Sequence, residues 1–257
     1  MYVYFSQIWY WLLLGAVCSY FLGCFNFAVL ISKLKHKDIR SQGSGNPGTM
    51  NMSRTFGLKI GLINFLCDAL KGIIPVMVGH LAFAGMFFAL PAVPPSPDGI
   101  VAEAGVNVAV SDFARYLFGL CAVVGHVFPV TMKFKGGKGI ATTLGVFTCG
   151  VTCEVGWFFP VAFAFLVFIV FYIYVFEWGS MGSLIGVSGF TVWQGVIFFL
   201  RYQAQLSNAY VIATFMLLLV FNLITWIAHH KNLYRLMGGE EHRTSIKKML
   251  HKKKNKA

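Results

Sequence analysis

The chain has 257 residues, 57% of them hydrophobic and 12% charged, with a formal net charge of +12 and a mean hydropathy of +0.70. Soluble domains carry about 25% charged residues, so the composition excludes a soluble globular protein and indicates a polytopic membrane protein. The six cysteines lie mostly in apolar runs, and Cys149 and Cys153 have neither CxxC spacing nor histidine partners, which indicates neither zinc nor a disulfide framework.

From Met1 to Ser32 there is no Lys, Arg, Asp or Glu. A run of that length crosses a bilayer rather than forming a buried strand. It lacks the basic start and small-residue cleavage site of a signal peptide.

The stretch "SQGSGNPGTMN", Ser41 to Asn51, follows and contains Gly43, Gly45 and Gly48 at G-x-G-x-x-G spacing. That spacing marks a dinucleotide turn only between a strand and a helix of a βαβ unit. Here it follows an apolar span, so the dinucleotide reading fails. Closely spaced glycines also let backbone N–H groups converge on an anion. Ser44, Asn46, Thr49 and Asn51 add polar side chains, and Arg54 offers a fork for phosphate or carboxylate. The competing reading is a turn-rich connector.

Leu58–Leu90 is the second expected span, interrupted by Asp68 and Lys71. These are three apart on one helical face, and a mutual pair that braces a site is expected. The loop Pro91–Asp112 holds Asp98, Glu103 and Asp112 without a Lys or Arg.

The third span, Phe113–Met132, carries His126 near its inner end. An ionisable group inside a membrane is functional by default, and a hydrogen-bonded core histidine is the alternative. The segment "KFKGGKG" then surrounds Lys138 with Gly136, Gly137 and Gly139, after Lys133 and Lys135. No G-x-x-x-x-G-K-[ST] pattern is present. The expected use is a lysine charge beside free N–H groups where a helix starts at Ile140. A purely topogenic basic loop explains the lysines but not the glycines.

Ile140–Cys153, Trp157–Phe176, Gly182–Leu200 and Ala209–Ala228 complete seven expected spans. Ser180 and Ser183 stand at the start of the sixth, where small residues permit close helix packing. His229, Asn232 and Arg235 follow the last span at three-residue steps, on one helical face. Gly238-Gly239 ends that helix. The expected organisation is one transmembrane unit, 1–238, with a basic tail, 239–257. The tail suits anionic headgroups better than nucleic acid.

Lys33, Lys35, Lys37, Arg40, Arg54 and Lys59 flank the first glycine loop against Asp38 alone. The positive-inside rule then puts the N-terminus outside and the C-terminus and both glycine loops in the cytoplasm. Two classes fit: an enzyme acting on a phosphorylated membrane-embedded substrate, or a transporter or channel for an organic phosphate. A transporter predicts two related halves. No such duplication is visible, so the enzyme is favoured.

The segments "GSGNPG…N…R", "D-x-x-KG-x-x-P", "GH-x-FP…FKGGKG-x-AT" and "HH-x-N-x-x-RL", in this order, resemble the bacterial acyl-phosphate:glycerol-3-phosphate acyltransferases along nearly the whole chain. The resemblance implies an all-α, seven-helix inner-membrane enzyme. Such an enzyme moves a fatty acyl group from acyl phosphate to the sn-1 hydroxyl of glycerol 3-phosphate, giving lysophosphatidic acid and phosphate. It implies catalytic roles for Ser44, Lys138, His229 and Asn232. It further implies substrate contacts from Gly45, Asn46, Gly48, Thr49, Asn51, Arg54, His126, Gly136, Gly137, Gly139 and Ser183. Its partners would be the two substrates, membrane lipid and, transiently, the enzyme that makes acyl phosphate; no cofactor, metal or nucleic acid is implied. Either the leaving phosphate or His229 would take the hydroxyl proton. The chain departs from the family pattern at Met50, where a threonine is usual, at Cys24, where a serine is usual, and in its long 91–112 loop.

Overall fold

The computed structural model describes residues 2–83, 103–241 and 243–246. The first apolar run forms two helices, α1 (Tyr2–Cys24) and α2 (Phe27–Leu34). The break falls at Asn26, whose side chain accepts the Val29 amide at 3.0 Å and so starts α2. After a single 3-10 turn at Ile39–Ser41 the glycine loop runs into α3 (Thr49–Phe56), so part of the expected loop is helical. Then come α4 (Leu58–Leu81), α5 (Glu103–Val127), α6 (Ile140–Glu154), α7 (Phe158–Phe176), α8 (Gly179–Tyr202), α9 (Ala209–Ala228) and α10 (His230–Met237).

Among the described residues, six stretches are long and apolar enough to cross a membrane: Ile8–Leu34, Leu58–Leu81, Ala109–Met132, Phe158–Phe176, Gly179–Tyr202 and Ala209–Ala228. The expected fourth span, α6, has only 15 residues. That is about 22 Å of helix, against a hydrocarbon core of about 30 Å. Its environment differs from that of the others. Ala141 to Phe147 are all buried, and α4 crosses α6 at very close range. A Cβ on Gly72 would lie 2.2 Å from the Thr142 carbonyl oxygen, and one on Gly145 would lie 2.3 Å from that of Ala69. Small residues at such a crossing bring two backbones together, which lipid alone does not drive. By contrast α7 buries only Ala162 and Ile169 and turns Phe159, Phe163, Phe168, Phe171 and Phe176 outward. α5 is central, packing on α1, α4, α6 and α9.

One boundary needs correction. The third long helix begins at Glu103, not near Phe113, so Asp112 is not a loop residue. It is 1% exposed and pairs with Arg115 at 2.8 Å. The Tyr202 hydroxyl donates to it at 2.6 Å, and Arg201 lies at 3.4 Å. Arg115 also reaches Glu154 at the end of α6. Paired in this way, the charges let the helix run through a segment that reads as polar. Most of the expected 91–112 loop lies outside the described residues, as does the tail beyond 246.

His126 lies near the other end of α5, about 21 Å along the helix from Asp112 at about 1.5 Å per residue. The bundle therefore holds one group of buried charges at each end. The glycine loops and the segment after α9 share the His126 end.

Candidate functional site

The first glycine loop is shaped from within by Asn51. Its Nδ2 donates to the carbonyls of Ile39 and Gln42 at 3.2 and 2.9 Å, and its Oδ1 accepts the Ser44 amide at 3.1 Å. Asn51 is 1% exposed. Its amide is thus committed to the loop, and it does not face outward as a substrate contact would. Ser44 is exposed at the lip, with Gly45 and Asn46 partly covered beside it. Gly48 precedes α3 and provides no side-chain cap, leaving the first α3 amides for another acceptor. Thr49 turns toward α4, its Oγ1 3.5 Å from Asn64 Nδ2. Arg54, one turn on, donates to Thr244 Oγ1 at 2.6 Å.

The second loop folds back on the end of α5. The amides of Gly136 and Gly137 donate to the carbonyls of Val127 and His126, both at 3.1 Å. A Cβ on Gly137 would lie 2.3 Å from His126 Nε2 and 3.1 Å from the Pro47 carbonyl. The two glycine loops meet there, and only glycine fits. Gly139, at φ +77°, turns the chain into α6. Lys133 and Lys135 stay exposed. Lys138 instead turns inward and donates to Asn232 Oδ1.

The third contribution comes from the end of α9 onward. His229, 1% exposed, donates from Nδ1 to the Thr225 carbonyl at 2.8 Å, which leaves Nε2 with its lone pair. Asn232 on α10 donates from Nδ2 to Glu241 Oε1 at 2.7 Å. Ser180 donates to the same oxygen at 2.8 Å, and Arg235 holds Oε2 at 3.0 Å. The Thr244 amide donates to the Glu177 carbonyl at 2.6 Å. Residues 239–241 and 243–246, which the sequence pattern assigns to the basic tail, therefore lie across this end of the bundle.

Burial draws Lys138 down to about 8; the Glu241 carboxylate opposes this, while Arg235 and Arg54 add to it. Burial and then the Lys138 charge bring His229 down to about 4. Burial lowers Arg54 as well, against the pull of Glu241. Burial alone would raise Glu241, but hydrogen bonds from Asn232, Ser180 and Arg235 outweigh it and hold the carboxyl below its usual range. At neutral pH the cluster is therefore an ammonium, two guanidiniums (Arg54 and Arg235) and a neutral imidazole around one carboxylate.

Of the expected residues, the structure brings Lys138, His229, Asn232 and Arg54 to one place, with the two glycine loops beside them. It separates others. The Ser183 hydroxyl donates to the Gly179 carbonyl of its own helix at 2.8 Å. Ser180, read from sequence only as a small packing residue, is the serine that reaches the cluster. His126 faces Lys71, its Nδ1 2.9 Å from the ammonium. Glu241 and Thr244 were not anticipated. Their signal is Gly238-Gly239, where Gly239 at φ +71° lets the chain turn back.

The chain matches the glycerol-3-phosphate acyltransferase family over residues 13–239. The glycerol-3-phosphate acyltransferase of Desulfotalea psychrophila is 36% identical over 227 residues, covering 87% of this chain and 93% of that protein. That of Aquifex aeolicus is 31% identical over 240 residues, covering 88% and 96%. The fold is similar to the crystal structure of PlsY, an integral membrane glycerol 3-phosphate acyltransferase, in its glycerol 3-phosphate form. The TM-score is 0.68 at 28% identity, over 93% of this chain and 98% of that one. The lysophosphatidic acid form of PlsY gives 0.66.

Proposed function

The chain belongs to the glycerol-3-phosphate acyltransferase family, and we propose that it works where Lys138, Arg54, His229 and Asn232 meet. It is an acyltransferase that acylates glycerol 3-phosphate in phospholipid synthesis. In this reading the donor is a fatty acyl phosphate, and the products are lysophosphatidic acid and phosphate.

One observation carries the placement. The cluster already holds an oxyanion, the Glu241 carboxylate, with Asn232 and Ser180 on one oxygen and Arg235 on the other. Lys138 and Arg54 supply further positive charge beside it. Such donors suit phosphate oxygens equally well.

In the transfer, the glycerol hydroxyl oxygen bonds to the acyl carbonyl carbon and the bond from that carbon to the phosphate oxygen breaks. The departing phosphate takes the hydroxyl proton. His229, held near 4, is neutral at pH 7 but too weak a base to compete for that proton. Its Nε2 lone pair instead accepts from the neighbouring, non-reacting hydroxyl of glycerol 3-phosphate and so orients the substrate, leaving the reacting hydroxyl's proton to the phosphate. Lys138 and the open first amides of α3 stabilise charge on the carbonyl and the leaving phosphate. Acyl phosphate is already activated, so positioning supplies much of the rate.

The membrane arrangement in this reading has seven crossings, with α6 as the short one. It starts beside Lys138 and ends at Glu154, which pairs with Arg115 at the opposite end. Neighbouring helices shield it, so it need not match the bilayer thickness itself. The basic loops then face the cytoplasm of a bacterial inner membrane, with the N-terminus outside and the C-terminus inside. Cysteines placed at Ser41 and Ser207, both exposed, in a cysteine-free background should label from opposite sides. Labelling from one side would overturn this arrangement.

The test of function is acyl transfer by purified protein given acyl phosphate, acyl-CoA or acyl carrier protein. Phosphate release with acyl phosphate alone is expected. Movement of an organic phosphate across vesicles without any acyl transfer would favour the transporter.

A further inference from the structure

Asp68, Lys71 and His126 take no part in the transfer step, yet they belong to a buried polar string that joins the two glycine loops. At one end Asn64 Nδ2 lies 3.5 Å from Thr49 Oγ1, where α3 leaves the first loop, and donates to Asp68 Oδ2 at 2.8 Å. Asp68 Oδ1 faces Lys71 Nζ at 3.0 Å. Lys71 donates to the Phe25 and Gly23 carbonyls at 2.8 and 3.3 Å, at the break between α1 and α2. It also meets His126 Nδ1 at 2.9 Å.

An ammonium only donates, so Nδ1 accepts and the neutral ring carries its proton on Nε2. That edge faces Gly137, the residue at which the second loop meets Pro47 of the first. All four side chains are buried. Hiding two charges would need Asp68 and Lys71 alone. It would not require the string to end on a glycine loop at each side.

We propose that Asn64, Asp68, Lys71 and His126 are positioning residues for acyl transfer, fixing the Arg54 side of the site against the Lys138 loop. The proposal rests on the site described above. A ligand cluster built on two loops loses alignment when either loop shifts, and a shift of about 1 Å costs on the order of a hundredfold in rate.

A pH profile reads the same geometry. Lys138 is faced by Asn232, His229, Arg235 and Glu241 from the segment after α9, and by Arg54 from α3. A loosened loop lets water reach Lys138, and its titration rises from about 8 toward the ordinary lysine value.

The experiment uses the full chain purified in detergent, with Asn64→Leu, Asp68→Asn and Lys71→Met. Thermal unfolding, kcat, KM for each substrate and the pH dependence of kcat/KM are measured. The expected result is a fall in kcat of about tenfold or more, a smaller change in KM, and an alkaline limb moved upward. If Lys71→Met does not fold, Asn64→Leu decides, since it leaves no charge unpaired. Folded variants with wild-type kcat and an unmoved limb would reduce the string to a fold brace and overturn the proposal. Lys138→Ala is assayed in parallel. Full activity there would overturn the site itself, independently of the positioning string.

Discussion

The two groups of buried charges, one at each end of the bundle, use different chemistry. Away from the site, Arg115 joins Asp112 of its own helix to Glu154 of α6, and Gln194 of α8 bonds the same glutamate. Tyr202 completes the group from α8. Every partner there is a helix side chain: the planar guanidinium joins α5 to α6, and α8 is tied in through the two carboxylates. At the site end the cation is a lysine, whose three protons splay onto a carboxylate, an imidazole and backbone carbonyls. That string ends on loops. Buried charge inside a membrane protein is thus a poor sign of function by itself. What separates the two groups is whether their partners are helices or the loops that hold a site.

The comparison breaks most sharply at Arg115. Arg115→Met leaves Glu154 without its paired cation and Asp112 with only the more distant Arg201, and removing one partner from such a pair costs about 3–5 kcal/mol. Loss of folded protein from the membrane is expected, with any remainder unfolding at much lower temperature. A stable, normally folded variant would show that this group is not the fastener it resembles.

At the site end the expected loss is in rate. Lys138→Ala should lower kcat/KM by about a hundredfold or more while the protein still folds, in line with removal of one oxyanion donor. Lys133→Ala, on the same loop but exposed, should stay within a few-fold of wild type. Equal losses would make the loop a diffuse basic patch.

A pH titration sharpens the same contrast. Lys138 is charged below about 8 and neutral above it. The kcat/KM profile should therefore hold through neutral pH and fall as pH rises past that value. Lys138→Arg should move the fall beyond the accessible range. A limb that persists there belongs to another group.

The smallest effect separates two serines on one helix. Ser180→Ala removes a hydrogen bond to the Glu241 carboxylate, worth about 1.5–3 kcal/mol, and should raise KM or slow transfer. Ser183→Ala removes only a bond to its own helix and should be nearly silent. The reverse result would restore Ser183 to the place the family resemblance gave it.

What could be read from sequence follows from what is local. An uncharged run such as Met1–Ser32 reports its environment residue by residue, and the lysines of the two glycine loops report a side. Asp112 misled because a charge reads as polar until its partner is seen, although Arg115 three residues on was a usable hint. Asn51 and Glu241 were out of reach for another reason. The first is a polar residue in a polar loop, and only the fold shows its amide turned inward. The second meets Ser180 and Asn232 from different helices, a contact no spacing announces. For His126 the sequence offered a functional group or a hydrogen-bonded core histidine without a partner, since Lys71, which it meets, lies on α4.

The backward course of residues 239–241 and 243–246 also bears on how the enzyme comes into being. Domains generally form from the N-terminal side as the chain emerges from the ribosome. Arg54 and Lys138 are made early, but Asn232, Glu241 and Thr244, which they meet, come more than ninety residues after Lys138. Until position 244 has emerged, the cations wait without their carboxylate and the site has no third wall. A half-made chain in the membrane therefore carries an open cluster, and its assembly closes only with the arrival of that late segment.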